Sequence, residues 1–598
     1  MRAWIAAFLI VTFAAAVSAQ ERDGATVFKD VCASCHTAGS DTPRAPTLDS
    51  LRLRSARAVL NAMLLQMGPM RIITTRLTNA ERRAVAEYVS GKKLDSEPEG
   101  GALGSCGAPV PMSDPAKGPG WNGWGVTSAN TRFQPADHAG LSADQVPHLT
   151  LKWAFGFPDT AQAWAQPAVA GGRLFVGSQS GAVYALDAKN GCRIWTYVAT
   201  SGVRTGIVVG RARRPDGTPG YALYFSDMAG NTYAVRAEDG RQLWKQQVEP
   251  HRFVRLTGTP TLHGGLLYVP TASFEESMAP EVENCCTFRG SVVALNADTG
   301  KVVWRTYTIK EKPAQYGPAV KGKPNWGPSG AAIWSSPTID SKRGVLYVAT
   351  GNNYTPPATS GSDAVLAMDL KTGRIRWSKQ LTENDVFNSL PSFRDQAPDF
   401  DFGSSPIFTK LPSGREVLIA PQKSGIGWAL DPDKQGAVVW QYRAGEGGTN
   451  GGLQWGSAMD GRLAYFAVSD TNRPNPGGLH GVDVETGERL WYTPPAPPRC
   501  ETVNRSCNSG QSAAVTAIPG VVFSGAIDGM MRAYSTRDGS VVWEYNTNQP
   551  FTTLNGVAAT GGSINGAGAT VAGGMVYVSS GYGSNGRPGN VLLAFGAE

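Results

Sequence analysis

Apolar and polar positions alternate in short runs along most of the chain, and seven of these runs are copies of one another. They are YALDAKNGCRIW (184–195), YAVRAEDGRQLW (233–244), VALNADTGKVVW (293–304), LAMDLKTGRIRW (366–377), WALDPDKQGAVVW (428–440), HGVDVETGERLW (480–491) and RAYSTRDGSVVW (532–543). Each joins an apolar strand to a Gly-containing turn and a second strand that ends in Trp, which predicts a β-hairpin. With Trp153 included, successive terminal Trp residues stand 42 to 73 positions apart, the period of four-stranded propeller blades with loop insertions. Trp153 in LTLKW has no hairpin before it, while MVYVSS (575–580) and NVLLAF (590–595) are strands still lacking a blade. Joining the two ends in one blade would close the ring and remove its exposed edges. The pattern therefore predicts a mainly β protein with an eight-bladed propeller over 121–598. The regular Trp residues are assigned to packing between blades, and the chemistry is expected off the repeat.

Residues 20–92 follow a different, helical pattern. A helix enters Cys32-Ala33-Ser34-Cys35-His36, where two thiols can form thioethers to one porphyrin and the adjacent imidazole can reach its iron, the mark of a haem c attachment. A second helix is predicted from Ser55, and a third after Thr78, with Thr78 as cap and Glu81 as its capping-box partner. This stretch reads as a small all-α cytochrome c domain. Its sixth iron ligand is expected to be Met70, which follows Gly68-Pro69, with Met67 and Met63 as competitors, a core role being the default for each. Residues 93–120 are rich in Gly, Pro and Ser and predict a linker.

The 598 residues, 41% hydrophobic and 17% charged, can bury a large core. Arg2 followed by an apolar run and Val17-Ser18-Ala19 predicts a secretory signal over 1–19, hence a periplasmic protein with no transmembrane anchor in its mature chain. The net charge of +7 is spread without a Lys/Arg run, which gives nucleic-acid binding no support. No Gly-x-Gly-x-x-Gly unit after a strand suggests NAD, and six His residues form no visible metal cluster. Apart from the two haem thiols, six Cys remain in an oxidising compartment. Fifteen pairings are formally possible. The reading favours Cys500 with Cys507, Cys285 with Cys286, and Cys106 with Cys192.

The repeat A-x-D-x-x-T-G-x-x-x-W on eight blades resembles the pyrroloquinoline quinone (PQQ) dependent alcohol dehydrogenases, quinohaemoproteins among them, over roughly 121–598. A leading cytochrome domain with NCCTFRGS (284–291), GPSGAAIWSSPTID (327–340) and SGYG before GNVLLAF (580–595) is similar to the polyvinyl-alcohol dehydrogenases within that family. The resemblance implies a flat tricarboxylate quinone, which needs an aromatic floor, cationic or hydroxyl groups at its carboxylates and a hard cation at its quinone oxygen. The family's cofactor arginine falls on Arg204 in GVRTG, and its Thr-x-Ala-Pro threonine on Thr257. Its metal-binding glutamate, fifteen residues after the proline, falls on Glu275, with Glu276 as the alternative if the insertion holding Cys285 and Cys286 shifts the register. The tryptophan stacked under the quinone falls on Trp334, and the amide ligand on Asn352, eighteen residues later. The catalytic aspartate falls in Pro398-Asp399-Phe400-Asp401-Phe402-Gly403, where the family's Trp is missing; Asp401 fits better than Asp399. Lys423 takes the place of a basic residue near the quinone oxygens, and Trp455, after a divergent Gln454, that of the Asn-Trp pair. Cys285 and Cys286 are read either as a disulfide ring lining the cofactor face or as a clamp on the inserted loop.

Oxygen ligands from Glu275, Asn352 and Asp401 suit a hard ion such as Ca2+, a lanthanide being the alternative. The implied reaction has Asp401 removing the alcohol proton as hydride passes to PQQ, the ion acting as Lewis acid. Haem ligated by His36 and Met70 would then pass electrons, one at a time, to an external cytochrome c. The expected substrate is a secondary alcohol, polymeric as in polyvinyl alcohol. The alternatives are a dehydrogenase for small alcohols, diols or sugars, and a propeller scaffold without chemistry, which would have no need of the haem motif or of Arg204, Trp334 and Asn352.

Overall fold

A computed structural model describes residues 21–37, 48–52, 55–64, 74, 77–94, 104–213, 217–282, 284–320, 323–584 and 586–597. Eight four-stranded antiparallel sheets are arranged as the blades of a propeller. Blade 1 runs from Ala168–Ala170 to Arg193–Val198, blade 2 from Val208–Arg213 to Gln242–Gln247, and blade 3 from Thr261–His263 to Val302–Tyr307. Blades 4 to 7 begin at Thr338–Asp340, Ile407–Lys410, Ala458–Met459 and Thr516–Ile518. Blade 8 takes three strands from the C-terminal end and its outermost, Thr150–Gly156, from before blade 1; Ala154 pairs with Leu593 and Phe155 with Leu592. The closure expected from Trp153 is thus present.

The Trp repeat holds the ring together. The indole N–H of Trp195 donates to Ala237 O at 3.2 Å, that of Trp244 to Ala297 O at 2.8 Å and that of Trp440 to Val484 O at 2.9 Å, each acceptor lying in the following blade. Trp543 donates to Leu149 O at 3.1 Å and so ties blade 7 to the strand that completes blade 8. Beneath the indoles of Trp195, Trp244 and Trp440 lies the turn glycine of the next blade. A Cβ on Gly240 or Gly300 would stand 2.7 Å from Trp195 or Trp244, and their φ values are +74° and +70°. Glycine is required there on both counts, for the left-handed backbone and for the close approach. In blade 1 the ladder slips a residue just before the Trp, with Ala185 opposite Trp195 and Leu186 opposite Arg193, a bulge that re-aims the indole.

A segment before the blades closes the axial channel. Trp121 exchanges backbone bonds with Val169 of blade 1, and the Asn122 side chain donates to Val209 O of blade 2. Ser128, Ala129 and Thr131 accept from Ile339, Phe408 and Met459, and Gln134 bonds Ala517 and Val571. Residues 121–134 therefore touch the first strands of seven blades and form a floor across the ring. Nothing in the hydrophobic pattern announced this, because the bonds are made by backbone and by side-chain amides.

The N-terminal region contains short helices at Gly24–Val27, Ala33–His36, Ala56–Leu64 and Asn79–Ser90, packed around Val27, Phe28, Leu60, Met63, Val85 and Val89. Thr78 caps the last helix, Glu81 completes the capping box, and Gly91 ends it with φ +66°. Met63 is buried in this core. Met67 and Met70 lie outside the described residues, as does the segment 1–19. Among the described residues no helix is long and apolar enough to cross a membrane. Disulfides join Cys106 to Cys192, Cys285 to Cys286 and Cys500 to Cys507. The first ties the stretch before the propeller to the turn of blade 1.

Candidate active site

Above the floor lies a narrow cavity lined by Trp124, Trp164, Arg204, Thr257, Trp334 and Trp455 among others. Four indoles and one guanidinium, with no carboxylate in the lining, suit a flat aromatic anion. Trp334 and Trp455 meet edge to face at 4.8 Å. The Arg204 guanidinium lies 4.5 Å from the Trp455 ring and 5.2 Å from Trp164, and donates to the Tyr582 hydroxyl at 2.7 Å. The indole N–H groups of Trp164 and Trp455 are buried with no partner among the described residues. Thr257 donates to Trp334 O at 3.4 Å. Arg204, Thr257, Trp334 and Trp455, distant in sequence, thus converge.

Beside Trp334 lies a buried polar group. Lys423 Nζ donates to Asp399 Oδ1 at 2.6 Å and to Asp401 Oδ2 at 2.9 Å, and all three residues are buried. Asp401 Oδ1 also accepts from the Asn352 backbone N–H at 2.7 Å. A Cβ at Gly351 would lie 2.5 Å from Asp401 Oδ1 and 3.5 Å from Trp334 Nε1, so the glycine lets the carboxylate reach the edge of the indole. Asp399 has φ +58°, a strained backbone for a non-glycine residue. Burial pushes its carboxyl up to about 7, against the opposing pull of the Lys423 ammonium, which is itself held charged well above its usual range by the two carboxylates.

Several oxygens close to this group have no hydrogen bond among the described residues, both carboxylate oxygens of the buried Asp363 among them. The Asn352 amide N–H2 donates to Asn353 O at 2.7 Å and Phe387 O at 2.9 Å, which fixes the amide orientation and leaves its Oδ1 buried and unpartnered. Glu276 Oε2 is likewise buried and unpartnered, and burial followed by the charges of Asp401 and Asp399 raises its carboxyl well above the usual range. Glu275, the residue that the spacing selects, differs. Its carboxylate accepts from Thr287 N at 2.9 Å and Phe288 N at 2.8 Å, and His251 lies 3.7 Å away. Burial pushes Glu275 up to about 7 and His251 down to about 4. An amide oxygen and carboxylate oxygens left without donors are the donor set of a hard cation. Cys286 is fully buried and packs with Ala332, Phe288 and Tyr354 in a cluster against which Trp334 and Cys285 also pack.

The sequence reading passed over several residues here. Trp124, Trp164 and Tyr582 line or brace the pocket. Arg132 lies beneath it, 1% exposed, with its guanidinium 4.8 Å from the Trp124 ring. It donates to Val515 O at 2.6 Å, Trp124 O at 2.5 Å, Gln166 Oε1 and Thr516 Oγ1, all neutral. Asp385 accepts from Phe400 N at 2.7 Å and supports the Asp399–Asp401 loop. Buried charge surrounded by neutral partners was the signal available, but burial is not visible in sequence.

In the N-terminal region, Cys32 and Cys35 take part in none of the disulfides and are half-buried, and His36 is 7% exposed at the end of the short helix that Cys32 begins.

Residues 121–444 match the PQQ family described as the glucose/ethanol/alcohol dehydrogenase β-propeller domain. The chain belongs to this family of PQQ-dependent alcohol dehydrogenases. It is 39% identical to a polyvinylalcohol dehydrogenase of a Pseudomonas species, covering 100% of this chain and 97% of that protein. It is 38% identical to the polyvinylalcohol dehydrogenase of Sphingopyxis sp. strain 113P3, covering 98% and 94%. Among solved structures, a quinohemoprotein alcohol dehydrogenase from Pseudomonas putida shares the fold with a TM-score of 0.58 at 19% identity, over 80% of each chain.

Proposed function

We propose that the protein is a periplasmic quinohaemoprotein that oxidises secondary alcohol groups, those of polyvinyl alcohol or a similar polymer, and passes the electrons through its own haem c to an external cytochrome c. The observation that carries this reading is the convergence of Arg204, Trp334 and Trp455 on one cavity, with the Asp399–Lys423–Asp401 triad beside Trp334. The names of the two relatives similar over the whole chain support the choice of substrate.

When bound, PQQ supplies the two-electron acceptor and a divalent ion such as Ca2+ supplies Lewis acidity. Arg204 and Thr257 hold the anionic ligand against the indoles. Asn352 and Glu276 would hold the cation, and their unpartnered oxygens support Glu276 over Glu275; Asp401, whose oxygens accept from Asn352 N and Lys423, would complete the set by exchanging one of those donors for the ion. Asp399, raised to about 7 and not in contact with Asn352, takes the alcohol proton. Lys423 then holds the triad together by bonding whichever carboxylate remains ionised. In the N-terminal region, within the proposed cytochrome segment 20–92, Cys32 and Cys35 anchor the haem, and His36 and Met70 ligate its iron. Residues 1–19 direct export, and 93–120 tether the segment to the propeller.

The test is to load the purified full chain with PQQ and Ca2+, add polyvinyl alcohol and follow haem reduction by absorbance. Reduction by the polymer is expected. Reduction only by small alcohols or sugars would replace the substrate assignment, and no quinone binding at all would overturn the reading.

A further inference from the structure

The helical segment meets the propeller through an arginine. Arg57, 6% exposed, donates through Nη1 to Ala199 O at 2.8 Å and through Nη2 to Leu94 O at 2.7 Å, so one guanidinium joins a carbonyl of the propeller to a carbonyl of its own segment. Arg83, on the last helix, donates to Thr200 O at 3.1 Å beside it. The strand-to-strand loop 199–204 that receives both is itself fixed. Ala199 N bonds Gly181 O, Thr200 N bonds the Tyr233 hydroxyl at 2.9 Å, and Val203 N bonds Ser178 O. Tyr233 is anchored in turn by donating to the fully buried Asp227 at 2.7 Å. The loop ends at Arg204 in the cofactor cavity. Five residues of extended chain span at most about 18 Å, so the arginine contact lies within that reach of the pocket. On the other side, the Arg57 helix Ala56–Leu64 packs through Leu60 and Met63 into the core that includes Val27, Phe28 and the partly buried Cys32 and Ala33.

From this continuity we infer that Arg57, seconded by Arg83, is the positioning residue that seats the haem-bearing segment on the 199–204 loop and so sets the rate at which electrons pass from the reduced cofactor to the haem. The inference rests on the haem reading above. Each alcohol oxidised yields two electrons and two protons. The haem accepts one electron at a time and is reoxidised twice by an external one-electron acceptor, while the protons leave to water. Arg57 itself takes part in no bond change; it holds distance and orientation, through charge-assisted bonds to buried carbonyls.

Three readouts on the PQQ- and Ca2+-loaded full chain separate this role from others: alcohol oxidation with a dye that takes electrons directly from the quinone, the rate of haem reduction by alcohol, and the haem spectrum. Arg57→Ala should slow haem reduction about tenfold, the kinetic equivalent of about 1.4 kcal/mol, with dye-linked oxidation and the spectrum unchanged. Arg57→Lys, which keeps the charge but cannot bridge two carbonyls, should recover only part of the rate. Arg83 is partly exposed and outside the helical core, so Arg83→Ala tests the same interface should Arg57→Ala disturb folding; a smaller slowing in the same direction is expected. Haem reduction at the wild-type rate in the double variant overturns the inference, and so does an equal loss of dye-linked oxidation, which would place the effect in the pocket. Wild-type protein that oxidises alcohol with dye yet never reduces its own haem overturns the haem reading, and the inference with it.

Discussion

The protein uses tryptophan in two ways that its structure keeps apart. In the ring, Trp195, Trp244, Trp304, Trp440, Trp491 and Trp543 each donate the indole N–H to a carbonyl, and Trp195, Trp244, Trp304, Trp440 and Trp491 also cover a turn glycine of the next blade. In the pocket, Trp164 and Trp455 keep buried N–H groups without partners among the described residues, and Trp455 meets Trp334 edge to face and lies against the Arg204 guanidinium. Satisfied polar groups mark residues that complete the fold. Buried groups left unsatisfied mark a surface built for something else, because such a group costs about 1–3 kcal/mol unless a ligand or water meets it. The same contrast separates Glu275, whose oxygens are filled by backbone N–H, from Glu276 and Asn352.

The largest expected effect lies in the pocket. Asp399→Asn should lower kcat by about 10²–10⁴, as loss of a general base does, with the Ca2+ requirement unchanged. Asp401→Asn and Glu276→Gln should instead raise the Ca2+ concentration needed for half-maximal activity, and chelation should inactivate them at lower chelator than wild type. Glu275→Gln should leave that titration in place while lowering thermal stability. Ca2+ dependence that follows Glu275 and not Glu276 would break the comparison at its most specific point.

Next comes the ring. Trp244→Ala removes a buried indole with its hydrogen bond and should cost about 3–5 kcal/mol of unfolding free energy by denaturant titration, with PQQ affinity kept. Trp334→Ala should do the reverse, abolishing PQQ binding at little cost to the midpoint. If both variants lose both properties, the two classes of tryptophan are not separable.

How far these roles were legible in sequence follows from how local each one is. The strand, turn and terminal Trp recur at short range in seven hairpins, so the eight blades, the packing role of the Trp and the strand shared between the ends could be read directly, while the contact of each Trp with a glycine of the next blade could not. Arg204, Trp334 and Asn352 were reached only through resemblance, because their convergence depends on the closure of the ring. Counting from Pro260 selects Glu275, and only the hydrogen bonds distinguish it from Glu276, since Glu275 accepts from Thr287 N and Phe288 N while Glu276 Oε2 has no partner among the described residues. The floor at 121–134 and the Arg57–Ala199 contact left no trace at all. They are backbone-directed bonds between residues far apart in the chain, and such bonds place no demand on the acceptor's side chain.

A smaller effect concerns the ring alone. His480 in blade 6 hydrogen-bonds the Tyr442 hydroxyl at 2.8 Å and lies against Tyr492, and burial followed by the Arg489 charge lowers its folded pKa from 6.5 to about 4. The unfolded chain therefore binds the extra proton first. Stability should be complete above about pH 6.5 and fall as the pH drops toward 4, by up to about 3 kcal/mol. His480→Phe should flatten that part of the unfolding profile. The pH dependence of alcohol oxidation, set in the pocket, should be unaffected.

The smallest effect joins the two regions, since Arg132 belongs to the floor yet lies directly under Trp124. A fully buried guanidinium with only neutral partners is costly to maintain, and the family's cofactor is a tricarboxylate. A carboxylate in the cavity on the order of 8 Å from that charge would gain about 2 kcal/mol at an effective dielectric near 20. Arg132→Met should therefore weaken PQQ binding about tenfold or somewhat more, measured by quenching of tryptophan fluorescence. The rise in melting temperature on adding PQQ should shrink with it, by the amount that mass action assigns to the lost affinity. Metal dependence and the proton-transfer step should stay as in wild type, because Arg132 contacts neither the triad nor Asn352. An unchanged affinity with a lowered melting temperature would return Arg132 to the ring, as a structural residue that serves carbonyls and nothing more.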